Sequence, residues 1–439
     1  MSLLSRRQML GATAAAVIVP GFARWVPAEA KAPIRYADAK DLPVLELDVA
    51  ASIENGRLTT KGQHYQAMPM GAVILVPAGA EIPAPWWALR FRKNSGVRDG
   101  ARFVLRGDPQ RRPLLAAPGG EGVLDLRNGS DRAVAFDVEH LNIRSGQGGD
   151  AVRISAAAPV RLSHVSIEGG RNGVFAVSDP TDLELWYCDI RHSGRGGGKT
   201  HNFYVGYIRN LTIRNSTITA PKALGHVFKC YARHLDIRDS YLANYETESD
   251  LRDGFHGELP LFDRGAWGST IAVGNTFVRR GPPRAFMIEL RNRAFPPGYN
   301  KWVAPGWGTE EVDHRQVDNR DPANPHLFRH LFYNNTVRNG VLPNGDLDPL
   351  IRRRPGVMLR NNGSAPWGVM VKGKFAKGQT PADWQPHHER TVAYLIANRV
   401  EGVPFARLGD PVPYTQPDLR TPINELETLP EWAADWIGV

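Results

Sequence analysis

Cysteine is scarce in this chain: Cys188 and Cys230 are the only two in 439 residues. That density excludes a disulfide-stapled scaffold. No run of eighteen or more apolar residues occurs, so no membrane-spanning helix and no stable membrane insertion are expected. Helical periodicity is nearly absent, which argues against bundles and long helices. Acidic residues are outnumbered, 45 against 54 Lys plus Arg, and the formal charge is +9. The expected partner is therefore an anion. Gly and Pro are abundant at 78 residues, which points to many turns. Apolar residues make up 42%, enough for a core, and this excludes a disordered chain.

The first thirty residues read as an export signal. Ser5-Arg6-Arg7-Gln8-Met9-Leu10 carries twin arginines followed by Leu, and a mild apolar stretch runs to Phe22. Ala28-Glu29-Ala30 then offers small residues for cleavage. Removing residues 1–30 takes away three arginines and one glutamate, a net +2, and leaves +7 of the +9. The twin-arginine route would deliver a folded protein to the periplasm or beyond the cell. That location argues against nucleic acid and for acidic polysaccharides, lipid headgroups or wall polymers. In such a compartment Cys188 and Cys230 either pair or remain two buried thiols.

The middle of the chain repeats. Glu139-His-Leu-Asn-Ile143, Ser163-His-Val-Ser-Ile167, Trp186-Tyr-Cys-Asp-Ile190, Arg214-Asn-Ser-Thr-Ile218 and Arg238-Asp-Ser-Tyr-Leu242 share one pattern. Their final aliphatics lie 24, 23, 28 and 24 residues apart. The pattern returns in Gly274-Asn-Thr-Phe-Val278, Asn334-Asn-Thr-Val337 and Ala397-Asn-Arg-Val400. Alternation marks strands, and the Asn/Asp-Ser/Thr pairs mark the bend between them. A second strand-like segment sits between copies: Ala151–Ile154, Val174–Val177, Phe203–Val205 and Val227–Lys229. A unit this short cannot bury its apolar face alone, so units must stack. The expectation is an all-β, right-handed parallel β-helix over 31–400, with roughly ten to twelve coils. Insertions are placed near 243–268 and 291–328. Residues 401–439 are predicted as a tail with a short capping helix from Leu426 to Ile437.

Gly71-Ala-Val-Ile-Leu-Val-Pro-Ala-Gly79 resembles the opening coil of pectate-lyase-like β-helix proteins. His201-Asn-Phe-Tyr-Val-Gly206 and Gly225-His-Val-Phe-Lys229 are similar to paired segments of a secreted bacterial branch of that superfamily. The resemblance implies a glycan ligand, handled by a lyase, hydrolase or epimerase, or by a non-catalytic binding protein. The pectate lyase signature around Trp-Ile-Asp-His is missing. The polygalacturonase set of Asn-Thr-Asp, Asp-Asp and Gly-His-Gly is missing too, so neither pectate nor that hydrolysis is favoured.

Chemistry-bearing residues concentrate in 192–258. β-Elimination from a uronate needs a base, a cation on the carboxylate and an acid for the leaving oxygen. Lys229 or His226 could be the base, and Tyr204 or His201 the proton donor. Arg233, or a Ca²⁺ held by Glu246, Glu248 and Asp250, could neutralise the carboxylate. Asn202 is a candidate sugar contact. Counting back from Leu211 and Leu235 sets Asn202 below His226 and Tyr204 below Phe228, with Asn202, Tyr204 and His226 pointing outward. The same count leaves Lys229 at a strand end. Arg291, Trp302 and Trp307 in the later insertion suit carboxylate pairing and stacking on sugar faces. A monomer and a trimer are equally compatible with this pattern.

Overall fold

The computed structural model describes residues 34–244 apart from short loop segments. Beyond them it describes 262–265, 269–279, 288–291, 329–339, 351–352, 392–401, 423–426 and a few positions near the C-terminus. The export signal, the Gly-rich loop 195–199, Arg233, Glu246, Glu248, Asp250, Trp302 and Trp307 lie outside the described residues.

The chain forms a right-handed parallel β-helix. Among the described residues, three parallel sheets of twelve, ten and nine strands run along it. A complete coil contributes one strand to each sheet, as in Val160–Ser163, Ser166–Gly169 and Val174–Ala176. The first sheet places eleven strands within residues 31–400, inside the expected ten to twelve coils, and a twelfth beyond them. The twelfth, Ile423–Leu426, pairs with Val392–Ile396. This corrects the predicted boundary, because Leu426 closes a strand instead of opening a helix. Helical conformation appears further on, at Glu431 and Ala434, and Leu429 packs beside Leu331 and Ile396. The predicted insertion 243–268 likewise contains a third-sheet strand, Phe262–Gly265. No helix among the described residues is long and apolar enough to cross a membrane.

Alternation selects the core. In Asn210–Arg214 only Leu211 and Ile213 are buried, and the flanking residues face out. Parallel pairing then lines up equivalent residues about one strand spacing, 4.8 Å, apart. The repeat's aliphatics form one column: Ile143, Ile167, Ile190, Ile218 and Leu242 sit in register on the second sheet, continued by Phe277. The third sheet stacks Phe203 on Phe228, with ring centroids 5.3 Å apart.

The bend between the first and second sheets is a two-residue device. Its first residue takes positive φ, at His140, His164, Tyr187, Asn215, Asp239, Gly274, Asn334 and Ala397, and from Asn215 to Asn334 it is a type that tolerates the left-handed region. From Ser216 onward the second turns inward and caps the backbone of the coil before it. Ser216 Oγ accepts from the Cys188 N–H, Ser240 Oγ from the Ser216 N–H, and Asn275 Oδ1 from the Ser240 N–H. Asn335 Oδ1 takes the Asn275 N–H, and Asn398 Oδ1 the Asn335 N–H. The Asn–Asn and Asn–Ser pairs seen in the repeat are this ladder.

Cys188 and Cys230 are both buried thiols. Burial pushes the Cys188 thiol up to about 12, so almost no thiolate is present near neutral pH. Neither thiol is therefore expected to react with an alkylating reagent in the native protein, and both to react after denaturation. A thiol-labelling mass shift in the native state would contradict this. Replacing Asn335 with Ala leaves the buried Asn275 N–H and Ala272 carbonyl without their side-chain partner. It is expected to cost about 1–3 kcal/mol, read as a lower denaturation midpoint.

Candidate functional site on the third sheet

The third sheet carries the candidate site on its outer face. Register runs Asp125, Arg153, Phe175, Tyr204 and Lys229, one residue per coil. The neighbours of these residues along each strand face the core, as Phe228 and Cys230 do on either side of Lys229. Lys229 is therefore the centre of a three-residue strand, not its end. The pairing also corrects the predicted register: Tyr204 lies beside Lys229, and Phe203 beside Phe228. The error is one residue. Six positions separate Val205 from Leu211, but only five separate Cys230 from Leu235, so the connecting turn shortens by one.

Lys229 is only 8% exposed. Its Nζ lies 5.1 Å from the centre of the Tyr204 ring and 5.8 Å from that of Tyr231, within cation–π range of both. Tyr204 in turn packs on Phe175 at 5.3 Å and meets His201 edge-on at 5.2 Å. In the next coil the Cα of Asp263 is the register partner of Lys229.

The corner that enters this sheet is a second polar ladder. Asp150, Asn172, His201 and His226 each precede by two residues the inward residue that opens the strand. Asn172 Nδ2 donates to Asp150 Oδ1 at 2.7 Å, and the His201 N–H donates to Asn172 Oδ1 at 2.8 Å. The His226 N–H donates to His201 Nδ1 at 3.0 Å. A ring nitrogen that accepts carries no proton, so the proton of neutral His201 sits on Nε2. The His201 and His226 rings lie 4.8 Å apart, with 0% and 2% exposure. His226 therefore does not project outward as predicted.

Asn202 does not either. It is fully buried, its Oδ1 accepts from the Ser193 N–H at 2.8 Å, and its Nδ2 donates to the Thr219 carbonyl. Alternation fails here because Asn202 belongs to the corner, before the strand begins at Phe203. Asn202 locks two turns together and has no side-chain atom left to meet a sugar. Gly173 shows how tight the corner is, since a Cβ there would lie 2.6 Å from the Asn202 carbonyl oxygen.

Of the predicted residues, the structure thus brings His201, Tyr204, His226 and Lys229 into one cluster. Arg291 ends the third-sheet strand Ile288–Arg291, two coils beyond Lys229. Among the described residues no group of three His, Cys, Asp or Glu side chains is placed to hold a metal ion. Two residues of the site were missed in the sequence, Arg153 and Phe175. For both the signal was present, since alternation in Val152–Ala156 and Val174–Ala176 puts them on the face of Tyr204.

Asn172 links Asp150 to the His201 backbone, so Asn172→Leu should strip partners from two buried groups. The expected loss is about 1–3 kcal/mol of stability, seen in the denaturation midpoint. An unchanged midpoint would show that the corner does not rely on this ladder. No protein-family model, curated protein or solved structure matches the chain.

Proposed function

We propose that this is an exported enzyme that cleaves a uronate-containing polysaccharide by β-elimination, with Lys229 as base and Tyr204 as proton donor. The observation that carries this reading is the placement of Lys229. Lysine is seldom this buried, and here it lies on a strand's outer face that it shares with a tyrosine at ring-contact distance. Abstraction of the proton next to a carboxylate needs an amine that can shed its own proton, and desolvation favours that neutral form while ring faces favour the ammonium. Tyr204 offers a phenol on the same face for the leaving glycosidic oxygen.

The two histidines support this arrangement from below. His201 has its Nδ1 committed to the His226 amide, and its ring buttresses Tyr204. Arg233 and the acids Glu246, Glu248 and Asp250 remain proposals for carboxylate neutralisation, the acids by way of Ca²⁺. The resemblance of Gly71–Gly79 and of the 201–229 segments to pectate-lyase-like proteins favours a glycan. The twin-arginine segment favours a periplasmic or secreted location, where acidic polysaccharides are available.

The test is a panel of uronate polymers followed by the ultraviolet absorbance of an unsaturated uronate. Wild-type protein is expected to generate that absorbance on at least one polymer. Lys229→Ala should lower the rate about a hundredfold or more with an unchanged melting temperature. New reducing ends without absorbance would mean hydrolysis, and inverted uronate stereochemistry without cleavage would mean epimerisation. Retention alone would mean a binding protein. Each of these three outcomes would replace the elimination reading.

A further inference from the structure

Arg153 differs from the described arginines of the first sheet. On the first sheet, guanidinium groups are answered by carboxylates across the strands. Arg102 meets Asp137 at 2.6 Å, Arg106 meets Glu139 at 2.7 Å, and Arg161 meets Glu184 at 2.8 Å. Asp236 holds both Arg214 and Arg238. That face is neutralised from within. On the third sheet Arg127 is likewise taken by Asp125.

Arg153 is treated differently. Its nearest carboxylate is Asp150, at 3.9 Å from Nη1, beyond hydrogen-bond length. Asp150 is already occupied: it accepts Arg171 Nε at 3.1 Å, Arg171 Nη2 at 3.0 Å and Asn172 Nδ2 at 2.7 Å. Arg153 Nε is buried with no hydrogen-bond partner among the described residues. A third of the side chain nevertheless stays open to solvent, at 32%. The guanidinium lies over the Phe175 ring, 5.6 Å from its centre. A guanidinium held over a ring can still pair through its solvent-open side with a planar anion.

The column therefore reads cation, ring, ring, cation: Arg153, Phe175, Tyr204, Lys229. Three coil steps separate its ends, about 14 Å. From this we infer that Arg153 is a carboxylate-binding residue which holds an acidic polysaccharide along the solenoid axis, in line with Lys229. The inference rests on the uronate reading above and adds to it a direction for the chain and a distant charged contact. Arg153 does not touch the reacting atoms, so it acts on binding and leaves the chemical step alone.

The experiment compares wild type, Arg153→Gln and Arg153→Lys on polygalacturonate, alginate and a glucuronate-containing polymer, with an uncharged glucan as control. Retention and turnover are both measured, and melting temperature checks the fold. Arg153→Gln is expected to weaken binding of the retained acidic polymer about tenfold or more. The salt dependence of that binding should become shallower. KM should rise while kcat holds, and Arg153→Lys should fall between the two. Retention that depends on Arg153 without any turnover would leave this inference standing and remove elimination. Turnover with an unchanged KM and unchanged retention in Arg153→Gln would remove the inference and leave elimination. Absence of retention on every acidic polymer, or equal loss on the uncharged glucan, would overturn the inference.

Discussion

Parallel backbone pairing from coil to coil is the constraint on which everything else in this protein depends. It sets one spacing along the axis, so whatever recurs in the sequence becomes a column in space. Aliphatics recur and make a continuous core. From Ser216 to Asn398, Ser and Asn recur after a left-handed residue and make a ladder that caps each of these bends with the side chain of the next coil. Buried backbone amides at a bend would otherwise lack partners, so this ladder lets a solenoid turn a sharp corner without a helix or long loop.

The same constraint builds the candidate site, and it separates support from chemistry. Asp150, Asn172, His201 and His226 form an inner column whose hydrogen bonds run from each side chain to the next coil. Arg153, Phe175, Tyr204 and Lys229 form an outer column. Residues that looked alike in the sequence thus fall into different roles. The histidines are spent on structure and on packing under Tyr204, while the lysine remains at the surface layer of the sheet. Charge is partitioned in a similar way: among the described residues, the first sheet pairs its arginines with carboxylates and the third sheet leaves Arg153 with an unpartnered Nε.

Much of the fold was legible because its signals are local and periodic. Ile143, Ile167, Ile190, Ile218 and Leu242 revealed the coil length, and the coil number followed from it. The site was legible only in part. Tyr204 and Lys229 were found, but their register was off by one because a turn between sheets shortens by a residue. Asn202 and His226 were expected outside because strand alternation was extended into a corner, where backbone direction changes and the rule lapses. Arg153 escaped notice for another reason. Its distinction lies in Asp150 being filled by Arg171 and Asn172, which residue types alone do not reveal.

The central claim is that the outer face of the third sheet is the working surface. The most direct measurement is a crystal structure of Lys229→Ala with a bound uronate tetrasaccharide. The account predicts sugar rings running parallel to the solenoid axis over Tyr204 and Phe175, with one carboxylate on the Arg153 guanidinium. An oligosaccharide seated on the first or second sheet, or lying across the axis away from Arg153, would contradict it.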